Sequence, residues 1–378
     1  MSADGPTSVP RPRPSGVSTE AERVEVDERG RRARGSGAAR AAGPLAFLAR
    51  RLGWAAVILF LVVTATFLLD RVVPSDPARM VAGPQARAAD VARLKQQLGL
   101  DRPLAVQYGL FLRRIVHLGP ATFAPEATPD HASCGHLGPL HLDLGRSYQQ
   151  RKPVVAILRK RLPYTVALAL AATVLSVVLG VGSGLLAALR RNSWIDATTV
   201  GVALVGISAP TFVLGVVLQY LFAYELGVLP LNGAGEGFVD GLRHLILPAA
   251  TLGIFGAAFY TRLVRGELIE LFKADWIRTA RAKGVPPWRL VIVHALRNAW
   301  VPIVTAIGLD LGALLGGAVI TEQLFGWPGL GSLAVRAMRD RDGPVIVGTV
   351  LVGAIAIVLA SLVVDVSYAV LDPRVRRR

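Results

Sequence analysis

Residues 276–298, WIRTARAKGVPPWRLVIVHALRN, form a charged segment between two apolar stretches at about 245–263 and 299–320. A helix needs about 20 predominantly apolar residues to cross the hydrocarbon core of a bilayer, and both stretches are long enough. The charged segment is therefore predicted to be a loop between two membrane spans.

The local chemistry of this loop predicts a helix, a bend and a second helix. Residues 280–283 favour helix, and Gly284 is the residue type expected just past a helix end. Pro286 and Pro287 cannot continue the first helix but can begin another, and the apolar spacing of 288–296 is typical of a short amphipathic helix.

Two interpretations of this loop remain open at this point. A helix, a bend and a helix at the membrane surface suit the transmission of a rigid push between a soluble partner and the adjoining spans. The alternative is that the basic residues only set the membrane topology, as they do in many loops between spans.

Composition places the whole chain in a membrane. Its 378 residues are 52% hydrophobic with a mean hydropathy of +0.48, which is too apolar for an ordinary soluble domain. We predict an all-α, polytopic protein in which six transmembrane helices share one bundle. The runs long enough to cross the membrane lie near 53–70, 163–189, 198–224, 245–263, 299–320 and 344–370.

Basic residues predict the orientation of these spans. Arg50 and Arg51 precede the first span, Arg190 and Arg191 follow the second, and further basic residues lie at 262–298 and at the C-terminus. Six spans place all four groups on one side, and the positive-inside rule makes that side cytoplasmic, with both termini inside. The net charge of +16 therefore needs no nucleic-acid partner.

Residues outside the bundle divide into two segments. The tail 1–45 is rich in Pro, Gly, Ser and Arg and is predicted to be disordered and cytoplasmic, whereas 46–378 form one transmembrane domain. The segment of about 72–162 is predicted to lie outside. It carries basic residues at 159–161, against the charge rule, but segments above roughly 60 residues cross largely regardless of charge.

Three residues within spans, Ser208, Pro210 and Asp310, are candidates for a substrate pathway or gate. Asp310 is a carboxylate at membrane depth, which is costly unless it faces partners or water, so it either lines a pathway or makes a structural hydrogen bond. Pro210, close to Ser208, is predicted to kink the third span, as a hinge or only as a shape.

The segment 322–331, EQLFGWPGLG, is predicted to lie at the outer surface, with its aromatic pair at the membrane interface. Pro328 and Gly329 indicate a turn, and a short lateral helix is expected near 330–338. This helix either caps an outer gate or packs at the interface, and Glu322, Pro328 and Gly329 are further candidates for the pathway or gate.

Small and polar residues within the spans carry further expectations. Gly180 and Gly184, like the glycines of the fifth span, allow close contact between helices. Asp196 is expected to cap a helix or form an ion pair, and the role of Gln219 stays open.

Metal and catalytic motifs are weak or missing in the sequence. Cys134 is the only cysteine, so no disulfide within the chain is possible, and the spacing of the neighbouring histidines matches no zinc pattern. These histidines are His117, His131, His136 and His141. The sequence contains no phosphate-binding G-x-x-x-x-G-K-[ST] motif, so we predict no metal site, no cofactor and no enzymatic activity in this chain. If nucleotide hydrolysis drives it, another chain hydrolyses the nucleotide.

From about residue 45 to its end, the chain resembles the inner-membrane permease subunits of dipeptide, oligopeptide and nickel ABC importers. Five stretches carry the resemblance. They are DLGRS at 143–147, SAPTF at 208–212, RTARAKG at 278–284 continuing to HALRN at 294–298, the segment 322–331, and Asp365 through LDPRV at 371–375.

The resemblance implies that a cytoplasmic loop at about 266–298 docks into a groove on an ATPase subunit. Ala280, Ala282 and Gly284 would shape the coupling helix and its bend, and Arg278 and Arg281 would face acidic groups on the ATPase. The chain departs from the common motif at Thr279 and Arg281, where Glu and Ala are usual, which leaves the contacts open. The site residues implied in this loop are Arg278, Thr279, Ala280, Arg281, Ala282, Lys283, Gly284, His294 and Asn298.

Partners and substrate follow from the same resemblance. It implies two ATPase subunits that bind ATP and Mg, a second permease that is a paralogue, an extracytoplasmic binding protein, and lipid of the plasma (inner) membrane. Di- or oligopeptides are the implied substrates, while nickel, glutathione and oligosaccharide importers share the motifs. The rivals are a secondary transporter without an ATPase and a membrane receptor or scaffold.

Overall fold

The computed structural model describes residues 44–72, 77–83, 85–97, 99–118, 134–137 and 140–371. The predicted disordered tail lies outside the described residues up to residue 43, so that prediction is not tested.

Helices dominate the described residues. Two of them contain a π-helical segment, at Gln219–Glu225 and at Leu290–Leu296. The helices are α1 (Pro44–Val72), α2 (Pro77–Ala82), α3 (Ala88–Gln97), α4 (Leu104–Ile115), α5 (Val154–Leu189), α6 (Trp194–Ser208), α7 (Thr211–Glu225), α8 (Gly237–Leu271), α9 (Asp275–Ala282), α10 (Pro287–Leu315), α11 (Val319–Leu324), α12 (Leu330–Arg339) and α13 (Gly343–Leu371).

The predicted bundle is confirmed. Within the described chain, α1, α5, α8, α10 and α13 are each long and apolar enough to cross a membrane, and the bent pair α6 and α7 provides the sixth span when it is counted as one. These elements correspond to the six predicted apolar runs.

The predicted kink at Pro210 is a complete break, since α6 and α7 meet at 103°. Ala209 and Pro210 both have extended backbones, with ψ angles of 132° and 136°. The proline ring disfavours the helical conformation of the preceding residue, so α6 ends at Ser208 and α7 starts in a new direction. The Ser208 hydroxyl donates to the Leu204 carbonyl at 2.9 Å and stays with its own helix.

The close approach of α5 and α8 is fixed by glycines. A Cβ at Gly180 would lie 2.4 Å from the Tyr260 Cβ, and one at Gly184 would lie 2.7 Å from the Thr261 carbonyl oxygen. Lipid tails are as apolar as the side chains, so helix association in a membrane depends on such contacts. The predicted close contact at these two glycines is confirmed.

Helix α5 begins earlier than predicted, at Val154 rather than near 163. Pro153 precedes its first residue, and Arg159 and Lys160 are exposed on its early turns. Hydropathy alone underestimates such a helix because its first turns are polar.

A small antiparallel sheet precedes α5, and the sequence analysis did not predict it. Its strands are β1 (Val116–Leu118), β2 (Cys134–Leu137) and β3 (Leu140–Asp143), in the order β1-β3-β2. Residues 140–143 alternate apolar and polar, which is the period of a strand, but the run is too short to stand out.

We expect Gly180→Val to destabilise the protein, because the added side chain must displace Tyr260 or separate α5 from α8. Overpacking of this kind costs typically about 1–3 kcal/mol. The measurement is thermal unfolding of the purified protein in detergent. Gly182→Val is the matched control, since a Cβ at Gly182 meets no atom within 4 Å. Equal melting temperatures for the two variants would contradict the prediction.

Candidate functional site

The loop between α8 and α10 has the predicted bend at Gly284. Helix α9 ends at Ala282, and Gly284 has a φ of +78°, a left-handed conformation that favours glycine. The Gly284 N–H donates to the Arg281 carbonyl at 3.0 Å and the Val285 N–H to the Ala280 carbonyl at 3.2 Å, which is the Schellman pattern of a helix end. A Cβ at Gly284 would meet no atom within 4 Å, so backbone conformation, and not space, selects the glycine.

The predicted short helix at 288–296 is wrong as a separate element. Pro287 opens α10, which continues through the π-helical segment Leu290–Leu296 and onward to Leu315. The helix is not interrupted because Leu290 and Ala295 are buried against neighbouring helices and no helix-breaking residue follows until Pro302. The second half of the loop is therefore the first part of the membrane-spanning helix α10, with no break between them.

One face of α9 is anchored in the membrane domain. Ile277 is 1% exposed and contributes to an apolar cluster with residues of α8 and α10. The buried members of this coupling cluster are Ala188, Val264, Leu268, Ile277, Leu290, Ala295, Ala299 and Ile303. Helix α9 is therefore packed in one apolar cluster with both α8 and α10.

The opposite face of the loop is exposed, basic and aromatic. Trp276 and Trp288 are 41% and 61% exposed, and the Arg289 guanidinium lies 5.9 Å from the Trp288 ring centroid. Arg278 pairs with Asp275 at 3.5 Å, but both side chains face solvent, so this pair contributes little stability. Tryptophan and arginine are the residues most enriched among strong contacts of protein interfaces.

The other loop residues that the family resemblance implies are positioned as follows. Arg281, Ala282 and Lys283 are exposed, and Ala280 is partly buried beside the coupling cluster. The Thr279 hydroxyl donates to the Asp275 carbonyl at 2.9 Å. Asn298 donates its side-chain amide to the His294 carbonyl at 2.7 Å, one turn back on α10.

An ion pair joins α6 to α8 near this loop. Arg265 donates to both carboxylate oxygens of Asp196 at 2.6 and 2.8 Å, and the Asn192 N–H donates to the same carboxylate at 3.0 Å. Asp196 is buried, so removal of Arg265 would leave a charge without its partner. The ion-pair role predicted for Asp196 is confirmed.

Asp310 lies where α5, α8 and α10 meet. The Tyr260 hydroxyl is 3.5 Å from its Oδ2, a long hydrogen bond. A Cβ at Gly256 would lie 4.0 Å from the same oxygen and 2.3 Å from the Ser176 Oγ. Asp310 is only partly buried, and one long hydrogen bond satisfies little of a carboxylate's capacity.

The side chain of Glu322 is fully buried within the chain, which the sequence analysis did not predict. Its carboxylate accepts from the Thr165 hydroxyl at 3.0 Å and from the Ser332 N–H at 2.7 Å. Burial raises the pKa of this carboxyl, while these hydrogen bonds lower it by less. A Cβ at Gly329 would lie 2.2 Å from Glu322 Oε1, so the turn closes tightly around the carboxylate.

The prediction that the aromatic pair of this segment lies at the membrane interface is wrong. Phe325 and Trp327 are buried, and the Trp327 indole donates to the Tyr164 carbonyl at 2.9 Å. Pro328 and Gly329 do lie in the predicted turn, between α11 and α12, and α12 is the expected short helix. The segment is folded inward because Glu322 and Trp327 both form hydrogen bonds with residues of α5.

Two polar side chains join distant elements, a role that the sequence analysis left open for Gln219 and did not consider for Asp342. Gln219 is buried and donates to the Leu231 carbonyl at 3.1 Å and the Leu324 carbonyl at 3.3 Å, which joins α7 to α11. Asp342 accepts from the Ser147 hydroxyl and from the Tyr148 N–H at 3.1 Å. An aspartate directly before the last apolar run was the available signal for Asp342, since this residue type is common at helix starts.

Only part of the histidine-rich region lies within the described residues. Within the residues whose side chains are described, no group of three His, Cys, Asp or Glu is arranged to hold a metal ion. His131 lies outside the described residues.

Comparisons with known proteins identify the family. Residues 180–377 match the model of the binding-protein-dependent transport system inner membrane component, and residues 44–169 match the corresponding N-terminal model. The chain is 38% identical over 332 residues to the glutathione transport system permease protein GsiC of Escherichia coli O6:H1 (strain CFT073). It is 39% identical to GsiC of Salmonella paratyphi A. Each alignment covers 88% of this chain and 99% of the relative.

A solved structure of the MetNI methionine ABC transporter in an inward-facing conformation also matches, with 21% identity and a TM-score of 0.49, over 58% of this chain and 98% of that chain. The match at 180–377 includes the loop between α8 and α10, Asp310 and the buried turn at Glu322. From the two family models and the GsiC relatives, the chain belongs to the inner-membrane components of binding-protein-dependent transport systems and is a multi-pass permease subunit of an ABC importer of the dipeptide, oligopeptide and nickel type.

Proposed function

We propose that this chain is one of two permease subunits of an importer for small peptides, which are delivered by a soluble binding protein and driven inward by ATP. Glutathione is a tripeptide, and the GsiC relatives make it the first substrate to test. The coupling loop, residues 266–298, carries the proposal, since it presents an exposed basic and aromatic face and is packed against two spans.

The partners bind this chain on both sides of the membrane. Two ATPase subunits hold ATP and Mg²⁺, and one of them docks on α9 from the cytoplasm, where both termini of the chain also lie. The second permease is a paralogue that completes the pathway, and the binding protein docks on the opposite side.

The coupling loop and the candidate pathway lie on the same two helices. Val264 and Leu268 of α8 and Ile303 of α10 belong to the coupling cluster. Tyr260 and Asp310 follow on these helices one to two turns further into the span. A movement of α9 that turns α8 against α10 therefore opens or closes the 3.5 Å contact between the Tyr260 hydroxyl and Asp310, which is a route to alternating access.

The proposal is tested first by capture of the tagged chain from lightly crosslinked native membranes, with mass spectrometry of proteins and of bound small molecules. We expect two ATPase subunits, a paralogous permease and a soluble binding protein that carries a peptide. A chain captured alone, together with uptake driven by a proton gradient in ATP-depleted vesicles, would favour a secondary transporter instead.

Gly284→Val is expected to reduce uptake while ATP hydrolysis continues. A left-handed conformation costs a non-glycine residue about 1–2 kcal/mol, so the bend is displaced in most molecules. The rate of uptake should then fall roughly five- to thirty-fold. Gly284→Asn should retain most uptake, because asparagine tolerates this conformation. Gly266→Val is the control, since a Cβ there meets no atom within 4 Å and its φ is not left-handed. Normal uptake by Gly284→Val would refute the role assigned to the bend.

Asp310→Asn is expected to lower uptake without lowering the melting temperature. The carboxylate is weakly bonded within the chain, so its loss removes an interaction with the peptide's ammonium group rather than one that holds the fold. Asp196→Asn is the contrasting variant, because it breaks a buried ion pair and should lower the melting temperature. If Asp310→Asn melted lower and transported normally, Asp310 would be structural.

A further inference from the structure

Two turns from distant parts of the sequence are joined at one end of the bundle. The first, residues 146–152, lies between β3 and α5, and the second, residues 339–342, lies between α12 and α13. We refer to them as the paired turns. Asp342 accepts from the Ser147 hydroxyl and from the Tyr148 and Gln149 N–H groups, and the Gln149 side chain donates to the Asp340 carbonyl at 3.2 Å.

The surface of the paired turns is strongly basic. Asp340 is their only exposed carboxylate, because Asp342 is buried by its hydrogen bonds. Within the described part of the chain, no carboxylate forms an ion pair with any exposed cation of these turns. These cations are Arg146, Arg151, Lys152, Arg339 and Arg341.

Two of these arginines occupy backbone positions that suit glycine. Arg151 and Arg341 have φ angles of 55° and 52°. Arg341 ends α12 in the Schellman pattern, since its N–H donates to the Met338 carbonyl at 3.3 Å and the Asp342 N–H donates to Ala337 at 2.8 Å. Gly284 has the equivalent position after α9. Arginine is less favourable than glycine in this conformation, so the backbone does not select it and a role of the side chain at the surface would explain its presence.

The positive-inside rule does not explain the basic charge of the paired turns. In the orientation proposed above, the paired turns lie on the extracytoplasmic side, opposite to the side where basic loops set topology. Helix α5 is 36 residues long, or about 54 Å, against a hydrocarbon core of about 30 Å. The exposed Arg159 and Lys160 mark its polar first turns, so the paired turns stand beyond the membrane surface. A soluble protein fits this position better than lipid headgroups do.

We propose that the paired turns dock an acidic face of the soluble binding protein. The inference rests on the proposed function, since it assigns a surface to a partner named there. Opposite charges at the edge of an interface chiefly accelerate association and orient the partner, which suits a receptor that must bind and leave in each cycle.

The test uses the full transporter in nanodiscs of phosphatidylcholine and the purified binding protein identified by the capture experiment. Arg151→Gly with Arg341→Gly removes two cations and fits the left-handed backbone, so the melting temperature should stay equal or rise. We expect binding-protein affinity to fall at least about fivefold at low salt, and the difference to shrink at high salt, as the Debye length drops below about 10 Å.

The control is Arg93→Gln with Arg113→Gln, two exposed arginines of α3 and α4 on the same proposed side, which should leave affinity unchanged. Wild-type affinity and salt dependence in the glycine variant would overturn the proposal. So would a loss seen only in nanodiscs that contain phosphatidylglycerol, which would make the surface a lipid site. If wild-type transporter shows no ATP hydrolysis stimulated by the binding protein, the proposed function itself fails.

Discussion

The contact between α5 and α8 supports the rest of the molecule. Gly180, Gly184 and Gly253 bring the two backbones so close that a Cβ at any of them would lie within 3 Å of the facing helix. In a lipid environment this van der Waals contact, and not the hydrophobic effect, holds helices together. Because α8 also carries Val264 and Leu268 of the coupling cluster, α5 and α8 form a rigid unit to which the loop between α8 and α10 is attached.

Two buried carboxylates attach the opposite end of the bundle to the same unit. Glu322 is bonded to Thr165 of α5, and Asp342 is bonded to the turn that leads into α5. A buried carboxylate is tolerated only when donors surround it, and here backbone N–H groups provide part of that set. The hairpin of α11 and α12 and the start of α13 are therefore positioned by α5.

Sequence reasoning succeeded where the determining chemistry is local. Gly284 ends a helix because of its own backbone freedom, and Pro210 breaks a span because of its own ring, so both features follow from neighbouring residues. The apolar runs identified the spans for the same reason, since each is long enough by itself. Arg341 shows the limit of this reasoning, because it has a glycine's conformation without being a glycine.

Sequence reasoning failed where the residue that contacts a side chain lies far away along the chain. Glu322 is buried by Thr165, which precedes it by more than 150 residues, and its motif alone suggested a surface turn. The short helix predicted at 288–296 is not a separate element, because Leu290 and Ala295 are packed in one cluster with residues of α8 and α9 and the π-helical segment continues into the span. The sheet before α5 required pairing between strands too short to be recognised singly.

The two helices that leave the coupling cluster differ in stiffness, which bears on the mechanism proposed here. Helix α8 is regular between Tyr260 and Leu268 and is packed tightly against α5. Helix α10 contains the π-helical segment Leu290–Leu296 and Pro302 between the loop and Asp310, and both features weaken the regular hydrogen bonding of a helix. A push on α9 therefore bends α10 more readily than α8. Movement then appears where the two helices face each other across Tyr260 and Asp310, so the weak contact there is the part of the bundle that the loop is best placed to change.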